Sequence, residues 1–233
     1  MKKLIVVTGG TKGIGKAIIR KFAAQGFDVV TCARSWKDLK SLAAELKDEY
    51  PGISFTGQAA DLSKKDDVKA FLAALKSRKV DVLVNNTGVF IPGQIHKEKP
   101  GTLEKMIDTN VYSAYHMSRG LIPSMIRRKS GHIFNICSTA SIMAYVNGGS
   151  YCISKFALYG MTKVLREEMK EHQVRVTAVL PGATLTASWE GVELPPERFM
   201  KPEDVADAIW GVYNLSGQSV VEEILIRPQL GDI

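Results

Sequence analysis

Short unbroken runs of apolar residues alternate along the chain with longer stretches in which apolar positions recur every three or four residues. The runs at 3–8, 28–33, 53–58, 80–85, 132–136, 174–180 and 220–227 read as strands. Residues 13–25, 36–48, 64–77, 103–128, 150–171 and 202–214 carry helical spacing, and Pro123 predicts a bend in the fourth of them. Continuous Val/Ile/Leu strands are what a parallel sheet buried on both faces requires. The order therefore predicts an α/β fold, a single doubly wound, Rossmann-like domain over 1–233 with helices on both faces and no repeat or linker. In such a fold ligands sit beyond the carboxyl ends of the strands.

Composition narrows this little. At 233 residues, 45% hydrophobic and 24% charged, the chain can bury a substantial core, which excludes a disordered protein. Its apolar runs are too short to span a bilayer, and Thr8-Gly9-Gly10 ends the first too soon for a signal peptide. Cys32, Cys137 and Cys152 form neither a disulfide framework nor a zinc spacing, so no metal is expected and the compartment reads as cytoplasmic. The formal net charge of +7 is scattered. Its one dense run, Arg127-Arg128-Lys129, reads as a helix end whose dipole suits cations, so neither nucleic acid nor a membrane is an expected partner. A mildly positive field suits an anionic cofactor.

That cofactor has a candidate seat. After the first strand, Thr8-Gly9-Gly10-Thr11-Lys12-Gly13-Ile14-Gly15 opens directly into a helix. Glycines let backbone approach a pyrophosphate, and a helix amino end offers N–H groups and a positive dipole. The spacing is Gly-x-x-x-Gly-x-Gly rather than the commoner Gly-x-Gly-x-x-Gly. NAD sites usually carry an acid about twenty residues on, to hold the ribose hydroxyls. Here the second strand ends Thr31-Cys32-Ala33-Arg34-Ser35, with an Arg and no acid, and Lys12 adds a second cation. Guanidinium and ammonium groups suit a 2′-phosphate, so NADP(H) is expected.

A second constellation lies at Ser138-Thr139-Ala140-Ser141 and Ser150-Tyr151-Cys152-Ile153-Ser154-Lys155. Tyr151 and Lys155 are four apart on a helix, a turn above each other. A phenol of pKa about 10 is a weak acid or base at neutral pH, and a neighbouring ammonium favours its anion. With Ser138 arriving from a strand end as a polariser, the set suits carbonyl reduction or alcohol oxidation.

With these residues quoted, the chain resembles the short-chain dehydrogenase/reductase family over nearly its whole length. The loop at 8–15 looks like that family's nucleotide signature, and Asp61-Leu62 matches its adenine-contacting position. Asn85-Asn86-Thr87-Gly88 matches its Asn-Asn-Ala-Gly turn, with Thr87 replacing the usual Ala. Asn110, Ser138, Tyr151 and Lys155 fall on its catalytic positions, and Pro181-Gly182 with Thr184 and Thr186 on its nicotinamide-flanking loop. The resemblance implies that Tyr151 protonates the carbonyl oxygen and that Ser138 holds it. It implies that Lys155 tunes Tyr151 and bonds the nicotinamide ribose, while Asn110 supports a proton-relaying water. It also implies a homodimer or homotetramer.

Ser130-Gly131-His132-Ile133-Phe134 and the ending from Val221 to Pro228 with Gly231-Asp232-Ile233 look similar to bacterial sepiapterin reductases, which reduce pterin side-chain carbonyls. That likeness makes Asp232 a candidate partner for a pterin. Loops near 90–100, 142–149 and 183–200 should set specificity for a small-molecule carbonyl, with Tyr145 and Trp189 as candidate contacts beside Ser138 and Tyr151. Two alternatives stand beside this reading. One is a 3-oxoacyl thioester reductase, whose acidic carrier would suit the positive charge; the other is a non-catalytic NADP(H)-binding regulator.

Overall fold

The computed structural model describes every residue except Met1, Glu190 and Val192. Seven strands form one parallel sheet: β1 Leu4–Thr8, β2 Asp28–Ala33, β3 Phe55–Ala59, β4 Val82–Asn85, β5 Gly131–Ile136, β6 Val174–Pro181 and β7 Glu223–Ile226. Their order is β3-β2-β1-β4-β5-β6-β7. The chain thus leaves β1 in both directions, and the carboxyl ends of β1 and β4 flank the point where the winding reverses. Register pairs Ile5 with Val82 and Val7 with Val84, which brings Thr8 and Asn85 to the same edge.

Alternation along β1 explains the two-sided burial. Ile5 and Val7 join Ile18, Ile19 and Phe22 of α1 (Gly13–Ala24) and Val205 and Ile209 of α7 (Pro202–Tyr213). Leu4 and Val6 join Val68 and Phe71 of α3 (Lys65–Leu75) and Met117 and Leu121 of α5 (Ser113–Arg128). Successive side chains of a strand face opposite layers, so an unbroken apolar run feeds both. The helices α2 (Trp36–Glu49), α4 (Thr102–Ile107) and α6 (Gly149–Met169) complete the set.

The expected helix over 103–128 is interrupted, but not at Pro123. A π-helical turn, Asp108–Tyr112, separates α4 from α5, and α5 runs from Ser113 to Arg128 with Pro123 inside it. Such turns commonly mark functional positions, because one extra residue re-aims the side chains around it. Asn110 sits in this one and is fully buried. The last expected strand is also shorter than its apolar pattern, since only Glu223–Ile226 pairs with β6.

One buried histidine makes the core sensitive to acid. His132 on β5 is 1% exposed and stacks on Phe134 at 3.9 Å. Its Nε2 lies 2.8 Å from Thr177 Oγ1, and that hydroxyl donates to the Val221 carbonyl at 2.7 Å. Thr177 can therefore only accept from the imidazole, which fixes the Nε2–H tautomer. Nδ1 has no partner among the described residues. Burial, with the Arg175 charge adding to it, holds the pKa of His132 well below 6.5. The unfolded chain takes up a proton near pH 6.5 that the folded chain refuses, so the stability is complete above that pH and is lost below it. Urea unfolding should show the free energy falling below pH 6.5 with a slope approaching about 1.4 kcal/mol per pH unit. His132→Gln, which keeps a donor for Thr177 and does not titrate, should flatten that slope; an unchanged slope would reject this account.

Candidate active site

The turn after β1 is shaped by close approach. Gly9 and Gly13 have φ of +66° and +52°, a region that glycine enters without strain. Gly10 and Gly15 have another reason. A Cβ on Gly10 would overlap Ile19 Cδ1 and Thr31 Oγ1, and one on Gly15 would overlap the Asn86 amide and sit 2.6 Å from Gly9 O. Asn86 then ties the edge together. Its Nδ2 donates to the carbonyls of Thr8 and Gly9 at 3.0 Å each, and the backbone N–H groups of Asn86 and Thr87 donate to Thr8 Oγ1 at 3.0 Å. Thr87 adds a hydroxyl facing the turn, 3.2 Å from a Cβ built on Gly9.

The helix that follows has no side-chain cap at Lys12 and no acid in its first turn, so its positive end faces outward. Ile14 packs on the first core cluster, which leaves its backbone N–H as the group a ligand would meet. Thr11 lies in the turn itself. Glycines a Cβ would fill, beside an uncapped helix end and cations, fit a dinucleotide pyrophosphate.

The cations expected for a 2′-phosphate are placed unevenly. Arg34 is exposed where β2 ends. Lys12 is 72% exposed and forms an ion pair with Asp38 at 3.3 Å. Ser35 caps α2, its Oγ accepting the Asp38 N–H at 3.1 Å. Beyond β3, Asp61 takes bonds from the Ser63 N–H and hydroxyl, while Leu62 beside it is buried. Burial raises the Asp61 pKa, but the Ser63 bonds and the charges of Lys64 and Arg34 outweigh it and hold the carboxyl below its ordinary value.

At the ends of β4 and β5 the second constellation assembles. Lys155 is 6% exposed; its Nζ donates to the Ile136 carbonyl at 2.9 Å and lies 5.7 Å from the Tyr151 ring centroid. Asn110 Oδ1 and Lys155 Nζ both face Gly88, at 3.4 and 3.7 Å from a Cβ built there. The Asn110 amide donates to Val89 O at 3.0 Å and Ser154 Oγ at 2.9 Å, and accepts from Val89 N at 2.7 Å. Both its protons are committed, so a water at this point could only donate to it. Ser138 Oγ accepts from the Ala140 N–H at 3.1 Å; among the described residues its own proton goes to no partner. Phe90 packs edge-on against Tyr151, centroids 4.8 Å apart.

The remaining candidates frame this group. Pro181 ends β6, and the Gly182 N–H donates to Ile226 O at 2.8 Å. Thr184 is buried with its hydroxyl on Gly182 O, and Thr186 lies against the glycine turn, its Cγ2 2.9 Å from a Cβ built on Gly13. Trp189 packs on Phe199 at 5.1 Å. Tyr145 is half exposed, yet the packing around its phenol raises its pKa, with Tyr151 and Cys152 adding to the rise. Asp232 pairs with Arg227 at 3.3 Å and lies 2.8 Å from a Cβ built on Gly182. A cleft of about 830 Å³ opens where the loops at 94–96 and 144–149 meet α6. Tyr145 lines it and neither Ser138 nor Tyr151 does, so the cleft adjoins the constellation and does not contain it. Burial pushes the Cys137 thiol up to about 11 despite Lys155, which suits a small buried hydrophobe.

Sequence reasoning passed over Gly10, Ser154, Val89 and Glu98. The first three carry no signal beyond their neighbours. Glu98 left one: α6 opens on Gly148-Gly149-Ser150 with no capping side chain of its own, which leaves its end open to a cap from elsewhere.

The family model described as short chain dehydrogenase matches residues 3–195. The chain is 33% identical to a sepiapterin reductase of Chlorobaculum tepidum, over 100% of this chain and 99% of that one. It is 32% identical to a 3alpha-hydroxysteroid dehydrogenase of Mediterraneibacter gnavus, over 96% and 94%. Among solved structures, a metagenomic short-chain oxidoreductase in complex with NADP is 35% identical, with a TM-score of 0.84 and 97% of each chain covered.

The glycine geometry gives a direct check. Gly15→Ala should lower stability by about 1–3 kcal/mol through overlap with Asn86 and Gly9. Gly211→Ala in α7, where a Cβ meets nothing within 4 Å, should instead raise it by up to about 1 kcal/mol. Equal urea midpoints for the two variants would refute the packing account.

Proposed function

The chain belongs to the short-chain dehydrogenase family, and on that footing we propose that it reduces the carbonyl group of a small molecule with NADPH. The observation that carries the reading is Lys155: a buried ammonium held on Ile136 O, beneath the Tyr151 ring and beside Gly88 and Asn110. A buried cation with so few bonds is costly unless an anionic or polar group completes its shell. The NADP-bound relative and the exposed Arg34 support the choice of cofactor.

Gly9, Thr11, Gly13 and Gly15 with the first N–H groups of α1 would hold the pyrophosphate, and Lys12, Arg34 and Ser35 the 2′-phosphate. Asp61 and Leu62 would meet the adenine. Asn86, Thr87 and Gly88 would line the floor, and Pro181, Gly182, Thr184 and Thr186 the nicotinamide side. Bound NADPH supplies the hydride. Tyr151 gives its proton to the carbonyl oxygen, and the Ser138 proton, not donated to any described residue, holds that oxygen in line. The charge of Lys155 steadies the phenolate left behind, and Lys155 would also bond the nicotinamide ribose. Asn110 holds Val89 and Ser154 against this group and takes part in returning the proton from solvent.

A pterin side-chain carbonyl is the first substrate to try. Its support is the sepiapterin reductase likeness and the position of Asp232 beside Gly182. A near-equal likeness to a steroid enzyme means that identity alone does not select it. We also propose a homo-oligomer in which α5 and α6 pair with a second copy, since Tyr115, Ile153, Phe156 and Val164 are exposed on them.

Two experiments test these readings. Purified protein should oxidise NADPH with sepiapterin or with members of a ketone, steroid and 3-oxoacyl thioester panel, at higher kcat/KM than with NADH. Tyr151→Phe should lower kcat by at least 10²-fold with NADPH affinity kept. No turnover across the panel, an unchanged Tyr151→Phe, or a preference for NADH would each refute its part. Sedimentation should find a dimer or larger species that Val164→Asp weakens, and a monomer at all concentrations would overturn the pairing.

A further inference from the structure

The helix that carries Tyr151 and Lys155 begins badly by its own sequence. Its cap position is Gly148, its first residues are Gly149 and Ser150, and no acid lies in its first turn. An uncapped amino end frays, and Tyr151 lies within the first four residues, where the N–H groups lack intrahelical partners. The cap comes from 52 residues upstream. Glu98 Oε1 accepts the Ser150 N–H at 2.8 Å, and Oε2 accepts the Ser150 hydroxyl. Ser150 is 2% exposed and Glu98 partly buried, so the bonds are shielded from water.

The backbone is built to admit this carboxylate. A Cβ on Gly149 would overlap Glu98 Oε1 and sit 2.5 Å from Gly93 O, and one on Gly93 would sit 2.8 Å from Glu98 Cγ. The Gly93 N–H donates to Asn147 O at 2.9 Å, and Glu98 N–H donates to Gln94 O at 3.0 Å. The segment that brings Glu98 to the helix end also brings Phe90 to the Tyr151 ring and Val89 to Asn110. Tyr151 is thus held twice by one loop, on its ring by Phe90 and on its backbone neighbour by Glu98.

We infer that Glu98 is a positioning residue for the reaction, capping α6 through Ser150 so that the Tyr151 phenol stays aimed at the reacting oxygen. Its negative charge also complements the positive end of the helix. The inference rests on the reading of Tyr151 as proton donor, and it assigns Glu98 no contact with substrate or cofactor.

The test compares wild type, Glu98→Ala, Glu98→Gln, Ser150→Ala and Tyr151→Phe. Amide hydrogen exchange over 149–155, which needs no substrate, should speed up about 10-fold in Glu98→Ala, and less in Glu98→Gln, whose amide oxygen can still accept from Ser150. With whichever panel member turns over, Glu98→Ala should lower kcat about 10- to 100-fold while NADPH affinity, followed by its fluorescence, stays within about 2-fold. Glu98→Gln should recover most of the rate, and Ser150→Ala should fall between. A purely architectural role would lower cofactor affinity and active fraction together and would not be rescued by Gln. Unchanged exchange or unchanged kcat in Glu98→Ala overturns the inference; if that variant does not fold, wild-type exchange and kcat in Ser150→Ala do so. Full activity in Tyr151→Phe instead overturns the proton-donor reading, whatever Glu98 does.

Discussion

A buried ammonium is the constraint around which this molecule is arranged. Lys155 is almost fully enclosed, and desolvating a charge is expensive unless polar groups surround it. The strand end at Ile136 supplies one carbonyl, the Tyr151 ring supplies a π-face, and Gly88 leaves room beside it. Each of these comes from a different part of the chain, so the lysine can be satisfied only when β4, β5 and α6 are all in register. The Tyr–Lys spacing gives a face of a helix, and the sheet gives that face something to meet.

The segment after β4 is the hinge of the arrangement. From Gly88 to Glu98 it touches Lys155, Asn110, Tyr151 and Ser150 in turn. The π-helical turn at Asp108–Tyr112 serves the same end, because it puts the Asn110 amide where Val89 and Ser154 can use both of its protons. Asn110 is satisfied on both its nitrogen and its oxygen, whereas the buried Lys155 donates to a single described carbonyl, so the polar groups beside the core are paired unevenly.

Much of this was legible in the sequence, and for definable reasons. Strands buried on both faces leave unbroken apolar runs, so Leu4–Thr8 and Val174–Pro181 announced themselves. Gly13 and Gly15 were legible because backbone approach forbids a side chain. The interruption at Asn110 was not, since a π turn adds no distinctive residue, whereas Pro123 lies inside the continuous α5. Lys12 reads from the sequence as a second cation at the glycine turn, and its pairing with Asp38 depends on a contact between α2 and that turn that no local pattern encodes. Glu98 is the same kind of miss: the partner is 52 residues away, and only the missing cap hinted at it.

Specificity is the least legible layer because nothing forces it. Backbone turns and buried charges accept few residues, whereas Tyr145 and Val146 stand at 47% and 77% exposure and satisfy no neighbour's hydrogen bond through their side chains among the bonds described, and Met143, 45% exposed, offers only its thioether to the Arg227 guanidinium. Their identities can change without disturbing Lys155 or the glycine turn. Relatives that act on a pterin and on a steroid can therefore be almost equally identical to this chain, at 33% and 32%. The fold and the chemistry constrain the glycine turn and the buried charge, and the substrate is left to loops that neither constrains.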